Sequence, residues 1–575
     1  MNYLKQFLKE HKGSVALNVL LVLAQTVGTL LLPLLVAEIV DKGILAGDMA
    51  AIYRVGALML VATVAATAVS IGSSWSAASL GALFGRDMRE RLFRRSQELS
   101  VRQFGALGLP SMITRATADI TNMQTNISMA IQMILPAPLL VIAAVVMTVR
   151  ASGKLSLVLL ACLAVLLLFC AWMVKAAAPL SEVMQKKLDR INLVVREHVT
   201  GTRVIRAFGN EEREEKRSDE AFGDYANTMI RLGRMFAVIN PAVWLILGLC
   251  MAGVLWLGGM LAGQGAMALG QITAVTEYAT MALSYLIMAA TYAVSLPKLR
   301  ACLDRLREVL DTEPDLSDGT AQGLEAGVDA PVFSVEHVSF SYPGAESPVL
   351  QDLNFVCRRG ETTAIIGGTG SGKSTVADLL LRLHDVSDGV IRLHGQDIRT
   401  IPQQMLRSLV GCVPQKAFLF SGTIRDNLLM GNERANDEEL WAALKAAQAD
   451  GFVAALPQKL DAHVAQGGGN FSGGQRQRLA IARALVRKAD LYLFDDSFSA
   501  LDVKTDAALR AALASYEPDA AKLIIAQRVS TILTADQILV LDEGRLVGKG
   551  THEELLISCP TYRDIVRSQM EQKGA

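Results

Sequence analysis

Six apolar runs fill the first half of the chain, near residues 15–40, 52–78, 128–150, 155–178, 233–260 and 270–296. Each approaches the roughly 20 residues that a helix needs to cross a bilayer. Hydrocarbon offers no water to complete backbone hydrogen bonds, so a spanning run must be helical. Buried helices of a large soluble protein would carry polar faces at helical period, and these runs largely lack them. Pro33, Pro136, Pro138 and Pro241 lie inside the runs, where membrane helices tolerate them, and Asn240-Pro241 is expected to kink the fifth. No small-residue cleavage site ends the first run, so it reads as an uncleaved span.

The connections alternate in character. Those near 41–51, 151–154 and 259–270 are short and sparsely charged, whereas 79–127 and 179–232 are long and charged. The long ones hold Arg86-Asp87-Met88-Arg89-Glu90-Arg91 and Lys186-Lys187-Leu188-Asp189-Arg190. Positive charge marks the cytoplasmic side, which puts both termini there. The long connections have few Gly or Pro and regular apolar residues. They read as membrane helices that continue beyond the bilayer and turn back near Thr114–Asp119 and Ala207–Glu212.

Charged residues are 19 % of the chain, below the usual share of about 25 %, and the deficit lies in the first half. Formal net charge is zero, which leaves no basic footprint for nucleic acid. The seven cysteines (Cys162, Cys170, Cys250, Cys302, Cys357, Cys412, Cys559) form no C-x-x-C pair, and the seven histidines show no metal-ligand spacing. Reduced, buried thiols are the expectation. In the sixth span Glu277, Met281, Tyr285, Met288 and Tyr292 fall on one helix face. An ionisable group in a membrane span normally faces protein or a cavity. Glu277 is therefore expected to line a cavity and favour cationic or polar substrates.

Residues 311–330 are rich in Asp, Gly, Glu and Pro and read as a linker between a membrane domain (1–310) and an α/β domain (331–575). In that second domain the apolar run Thr363-Ala364-Ile365-Ile366 leads into Gly367-Gly368-Thr369-Gly370-Ser371-Gly372-Lys373-Ser374-Thr375 and then a helix-like segment. Strand, Gly-rich loop and helix at the spacing G-x-x-x-x-G-K-S make a phosphate-binding loop. Its backbone N–H groups would cradle phosphates, Lys373 would meet the outer ones, and Ser374 would offer a hydroxyl to Mg2+. A second strand, Leu491-Tyr492-Leu493-Phe494, ends in Asp495-Asp496, where Asp495 is placed to hold the same ion through water. A third piece, Asn470-Phe471-Ser472-Gly473-Gly474-Gln475, opens a helix and forms another anion-binding nest.

Together these motifs resemble those of an ATP-binding cassette exporter half-transporter, over essentially the whole chain. The resemblance implies six membrane helices with long cytoplasmic helical extensions, followed by an α/β P-loop domain that binds ATP with Mg2+. It implies that Phe471, Ser472, Gly473, Gly474 and Gln475 are the signature loop that completes the ATP site of a second chain. Tyr342 is similar to the aromatic that stacks on adenine, and Gln415 to the glutamine that senses magnesium. Ser499-Ala500-Leu501-Asp502 resembles the loop crossing the dimer interface, and the two turns resemble coupling helices.

Three positions depart from the family pattern. Asp496 stands where glutamate, the general base, is usual, and a chain shorter by one methylene loses roughly 1.5 Å of reach. Gln527 stands where histidine is usual; an amide donates a hydrogen bond but carries neither charge nor a proton to shuttle. Before the signature, Val464-Ala465-Gln466-Gly467-Gly468 replaces V-G-E-x-G. The expectation is firm ATP binding and slow hydrolysis at this chain's own loop. That pattern resembles the degenerate-site subunit of heterodimeric bacterial multidrug exporters. It implies a second half-transporter with glutamate and histidine at the matching positions, a small-molecule substrate, no nucleic-acid partner and a multi-pass place in a bacterial inner membrane. An exporter-fold importer of siderophore-like substrates, a lipid or peptide translocator and an ATP-gated channel or sensor stay open beside it.

Overall fold

The computed structural model describes residues 2–293, 296–324 and 330–574. Val294 and Ser295, at the end of the expected sixth span, and residues 325–329 of the expected linker lie outside the described residues. The chain divides into two compact units: 1–97 with 107–312, and 98–106 with 313–575.

Among the described residues the first unit contains six helices long and apolar enough to cross a membrane, at Lys12–Ile44, Met49–Glu98, Leu109–Ala151, Gly153–Phe208, Glu211–Gly263 and Leu269–Ala293. Side chains such as Leu60, Leu168, Trp244 and Trp256 are 70 %, 71 %, 70 % and 75 % exposed. An apolar exterior of this kind is stable only against lipid or another apolar surface. The unit is a multi-pass integral membrane domain.

Two features of the bundle follow from single residues. The fifth helix breaks between Ala237 and Ile239, with Val238 at φ −76° and ψ −21°. Pro241 has no N–H to donate, and its ring crowds the carbonyl four residues back, at Ala237. The first and sixth helices approach closely at Gly270, where a Cβ would lie 2.2 Å from the Ala37 carbonyl oxygen. The freed space lets the Gly270 N–H donate to Asp41 Oδ1 at 2.7 Å.

The structure moves the first turn of the long extensions. The Met49–Glu98 helix ends at Glu98, a short helix occupies Val101–Leu107, and Gly108 reverses the chain with φ +76°. Thr114–Asp119, expected as the turn, is helical and includes a π-helical stretch at Arg115–Asp119. Its two charged residues are buried. Asp119 is 2 % exposed and accepts from Arg305 Nε at 2.8 Å and Arg305 Nη2 at 2.6 Å; Arg115 pairs with Glu308. The second turn lies at Gly209 (φ +59°), between helices ending at Phe208 and starting at Glu211.

The second unit holds two main sheets. Strands β1 (Phe333–Phe340), β2 (Leu350–Cys357), β4 (Asp388–Leu393) and β5 (Gln396–Asp397) form an antiparallel sheet in the order β2-β1-β4-β5. Strands β3 (Thr362–Gly367), β6 (Val410–Val413), β9 (Leu491–Asp495), β10 (Ala521–Ile525), β11 (Gln537–Asp542) and β12 (Arg545–Gly550) form a six-stranded sheet. Its order is β12-β11-β3-β10-β9-β6, with all neighbours parallel except β11 and β12. The short strands β7 (Gly422–Thr423) and β8 (His463–Val464) pair separately. Alternation along the central strands sends Ala364, Ile366 and Phe494 to one hydrophobic core and Ile365, Leu493 and Leu523 to the other. In a parallel sheet covered on both faces, the carboxyl ends of the strands are where ligands bind.

Candidate functional site

Four of those carboxyl ends carry the chemistry. The phosphate loop leaves β3, Gln415 follows β6, Asp495 closes β9 and Gln527 follows β10. The loop's glycines have separate reasons. A Cβ on Gly367 would sit 2.1 Å from the Leu541 carbonyl oxygen, and Gly372 adopts φ +94° as it opens the Lys373–Leu380 helix. That helix presents unpaired N–H groups in its first turn, an anion site by construction.

Lys373 Nζ donates to the carbonyls of Gly367 (3.0 Å) and Gly368 (2.6 Å), so the ammonium sits over the loop. Burial lowers its pKa, and Asp496 and Asp495 work in the opposite direction. Ser374 Oγ donates to Asp495 Oδ1 at 3.2 Å. A hydroxyl and a carboxylate this close could serve one Mg2+, the carboxylate through water, so the donor set fits that ion. Burial, and next the Asp496 charge, raise the Asp495 pKa, while the Ser374 hydrogen bond lowers it.

Asp496 is held on two sides. Gln527 Nε2 donates to its Oδ2 at 2.9 Å, and Gln415 Nε2 approaches the same oxygen at 3.5 Å. Its backbone is left-handed, with φ +46°, and its N–H donates to the Ile525 carbonyl at 2.9 Å. Aspartate tolerates that conformation better than most residues. Ser497, fully buried, was not legible in the sequence; its hydroxyl donates to Val413 O at 3.0 Å and Asp495 O at 3.2 Å, pinning the end of β9 to β6.

Tyr342, two residues beyond β1, is half-buried, with its hydroxyl 3.3 Å from Thr375 Oγ1. His384, which the sequence reading passed over, meets the Tyr342 ring edge-on at 5.5 Å between centroids. Thr369, Gly370 and Ser371 complete the loop, with the Ser371 N–H donating to Gly368 O at 3.3 Å.

The Phe471–Gln475 segment, expected as the signature loop, is tied down by a helix cap. Ser472 caps the Gly473–Leu485 helix: its Oγ accepts from Gln475 N at 3.3 Å, and Gln475 Oε1 accepts from Ser472 N at 2.9 Å. This reciprocal box leaves the N–H groups of Gly473 and Gly474 in the first turn. Phe471 is buried, and its carbonyl accepts from Arg476 Nη1 at 2.8 Å. Gly474 faces the Ala500 carbonyl, 3.4 Å from where a Cβ would stand. Ser499 Oγ donates to Asp496 O at 2.9 Å, Leu501 is buried, and Asp502 caps the next helix by accepting from Thr505 N at 3.0 Å.

The stripe on the sixth span is not one environment. Glu277 and Met288 are exposed and Met281 and Tyr285 half-buried, but Tyr292 is buried and donates to Asn126 Oδ1 at 2.9 Å. Tyr292 packs the bundle.

A six-helix membrane unit fused to a P-loop domain with a capped signature helix defines an ATP-driven membrane transporter. The family described as ABC transporter transmembrane region matches residues 15–286, and the ABC transporter family matches 350–499. An uncharacterized ABC transporter ATP-binding protein of Mycobacterium tuberculosis (strain CDC 1551 / Oshkosh) is 38 % identical over 98 % of this chain and 97 % of that protein. A multidrug efflux ATP-binding/permease protein of Mycobacterium bovis (strain BCG / Pasteur 1173P2) is 31 % identical over 98 % of this chain and 47 % of its own length. The structure of a bacterial Atm1-family ABC exporter with ATP bound superimposes with a TM-score of 0.81 at 28 % identity, covering 97 % of this chain and 98 % of that one. The chain belongs to the ABC transporter family. It has the Atm1-family exporter fold, and its P-loop domain is an ATP-binding domain.

Proposed function

We propose that this chain is the degenerate-site subunit of a heterodimeric exporter of small amphipathic compounds. The observation that carries the reading is the Gln527–Asp496 hydrogen bond. A general base must reach the attacking water and have a group to pass its proton on. Here the acid is one methylene short, and its Oδ2 accepts from an amide at the position where a protonatable histidine is usual, with a second amide at 3.5 Å. Neither amide can carry a proton onward. The presence of Lys373, Ser374, Asp495 and Tyr342 around the loop supports a site that holds nucleotide while activating water poorly.

The residues that would hold Mg2+ are Ser374, Asp495 and Gln415; the ion would neutralise phosphate charge. Lys373 would release its loop carbonyls to meet the outer phosphates, and Tyr342 would offer its ring to the adenine. Ser472, Gly473, Gly474 and Gln475 would face the nucleotide of the second chain. The efflux relative, about half of which this chain covers, supports a two-half assembly. A bacterial inner membrane with the ATP-binding domain in the cytoplasm completes the reading. Reconstitution tests it: the chain alone should bind ATP and release phosphate at least 100-fold more slowly than the pair with its partner, in line with the roughly 10²- to 10⁴-fold value of a general base. Phosphate release by the lone chain at the rate of the pair would sink the proposal.

A further inference from the structure

The segment that carries Gln527 is gripped by the Pro560–Gly574 helix. The chain leaves β10 at Ile525, and the Ala526 N–H still donates to Ile365 O of β3 at 3.0 Å. Beyond that point the backbone has left the sheet, and its polar groups need other partners. Gln569 meets two of them with one amide. Its Nε2 donates to Gln527 O at 2.7 Å, and its Oε1 accepts from Val529 N at 2.8 Å. A side-chain amide carries a donor and an acceptor in one plane, so it can close on a carbonyl and an N–H two residues apart. The helix is anchored for that contact. Tyr562 and Val566 are buried in the core that also holds Val529 and Ile532. Gln569 lies three residues beyond Val566 and continues the same helix face. The Tyr562 hydroxyl, 2.7 Å from His552 Nδ1, ties the helix to the segment before it.

The sheet order determines what the gripped segment faces. Strand β10 lies between β3, which delivers the phosphate loop, and β9, which delivers Asp495. A terminal phosphate met by Lys373 on one side, and through Mg2+ by Ser374 and Asp495 on the other, would lie over the end of β10, at Gln527. The Gln527 side chain already turns that way. It donates to Asp496, whose charge acts on Lys373. An amide nitrogen has two N–H bonds, so one remains for a phosphate oxygen. We infer that Gln569 is a positioning residue of the ATP site: by fixing the main chain at Gln527 and Val529 it aims the Gln527 amide at the terminal phosphate, and so gives the site part of its preference for ATP over ADP. The inference rests on the ATP-binding domain and not on the heterodimer reading.

The full-length chain in lipid nanodiscs is titrated with Mg2+-ATP and with Mg2+-ADP against a fluorescent nucleotide, and the two Kd values are compared. Gln569→Met keeps the side chain's length and removes both hydrogen bonds. It should lower the preference for ATP over ADP at least about fivefold while the Kd for ADP stays within about twofold. Gln527→Ala should lower the preference by the same amount, and the double variant no further, because Gln569 acts through Gln527. Gln569→Glu keeps an acceptor for Val529 but sets a carboxylate against the Gln527 carbonyl, and should behave as Gln569→Met. Equal loss of ATP and ADP affinity in Gln569→Met would make the contact purely architectural and overturn the inference. An unchanged preference in that variant, or additive losses in the double variant, would overturn it too. A wild-type chain without a preference for ATP, or no effect of Gln527→Ala, would overturn the placing of Gln527 at the terminal phosphate. None of these results bears on the heterodimer reading, which phosphate release by the lone chain and by the pair decides.

Discussion

Gln527 Nε2 donates to Asp496 Oδ2 at 2.9 Å, so two of the three departures from the family pattern, those at the chemical positions, are one hydrogen-bonded unit. Each departure makes sense of the other. The amide finds an acceptor in the shorter carboxylate, and the carboxylate finds a donor where a histidine would have titrated.

Restoring hydrolysis should therefore need both changes. Asp496→Glu alone leaves the Gln527 donor beside the carboxylate, and Gln527→His alone leaves the short acid. Each single variant is expected to raise phosphate release less than about threefold, and the double variant by about 10²-fold or more, well above the product of the singles. Steady-state phosphate release, with the partner's own site inactivated, checks this; strictly multiplicative single effects would count against the coupling.

Asp495→Asn should stabilise the nucleotide-free protein while abolishing magnesium-dependent ATP binding. Burial and the Asp496 charge raise the Asp495 pKa above its ordinary 3.8. A raised carboxyl binds its proton more tightly in the folded state than in the unfolded one. Its ionisation therefore costs stability as pH rises through the folded value, and costs nothing below the unfolded value. Melting curves should show the variant's advantage growing from pH 4 upward, with no difference where both forms are neutral.

Ser472→Ala removes one half of the capping box. Loss of such a cap typically costs about 1 kcal/mol, which should appear as a modest fall in melting temperature. The fall in ATPase of the assembled pair should be much larger, because the same hydroxyl and the N–H groups beside it would face the second chain's nucleotide. ATP affinity at this chain's own loop, read by nucleotide titration, should not change.

Tyr342→Ala should weaken ATP binding by roughly five- to tenfold, in keeping with about 1 kcal/mol for an aromatic contact, whereas Tyr342→Phe should bind nearly as wild type. Among the described residues the hydroxyl's hydrogen-bond partner is Thr375 Oγ1, at 3.3 Å, so the ring is what matters. Fluorescent-nucleotide titration separates the two variants.

Local chemistry made several features legible from the sequence. The phosphate loop needs glycine where Gly367 meets the Leu541 carbonyl and where Gly372 takes a positive φ. The fifth helix breaks where Pro241 requires it, and Gly209 turns the second extension. The first turn was not legible. Arg115 and Asp119 look like loop residues until the Leu296–Leu310 helix supplies Glu308 and Arg305 beside them.

The sequence alone thus determined the class of machine: six spans, a loop that binds phosphate, a signature helix and two altered chemical positions. These are signals of composition and short spacing, carried within a few residues. Tertiary structure decided what the altered positions do to each other. Asp496 and Gln527 lie 31 residues apart and meet only because β9 and β10 pair in parallel, with Asp495 opposite Ile525. It also decided that Tyr292 packs against Asn126. Side-chain direction depends on which elements become neighbours, and nearly uniform apolar helices carry little local record of that.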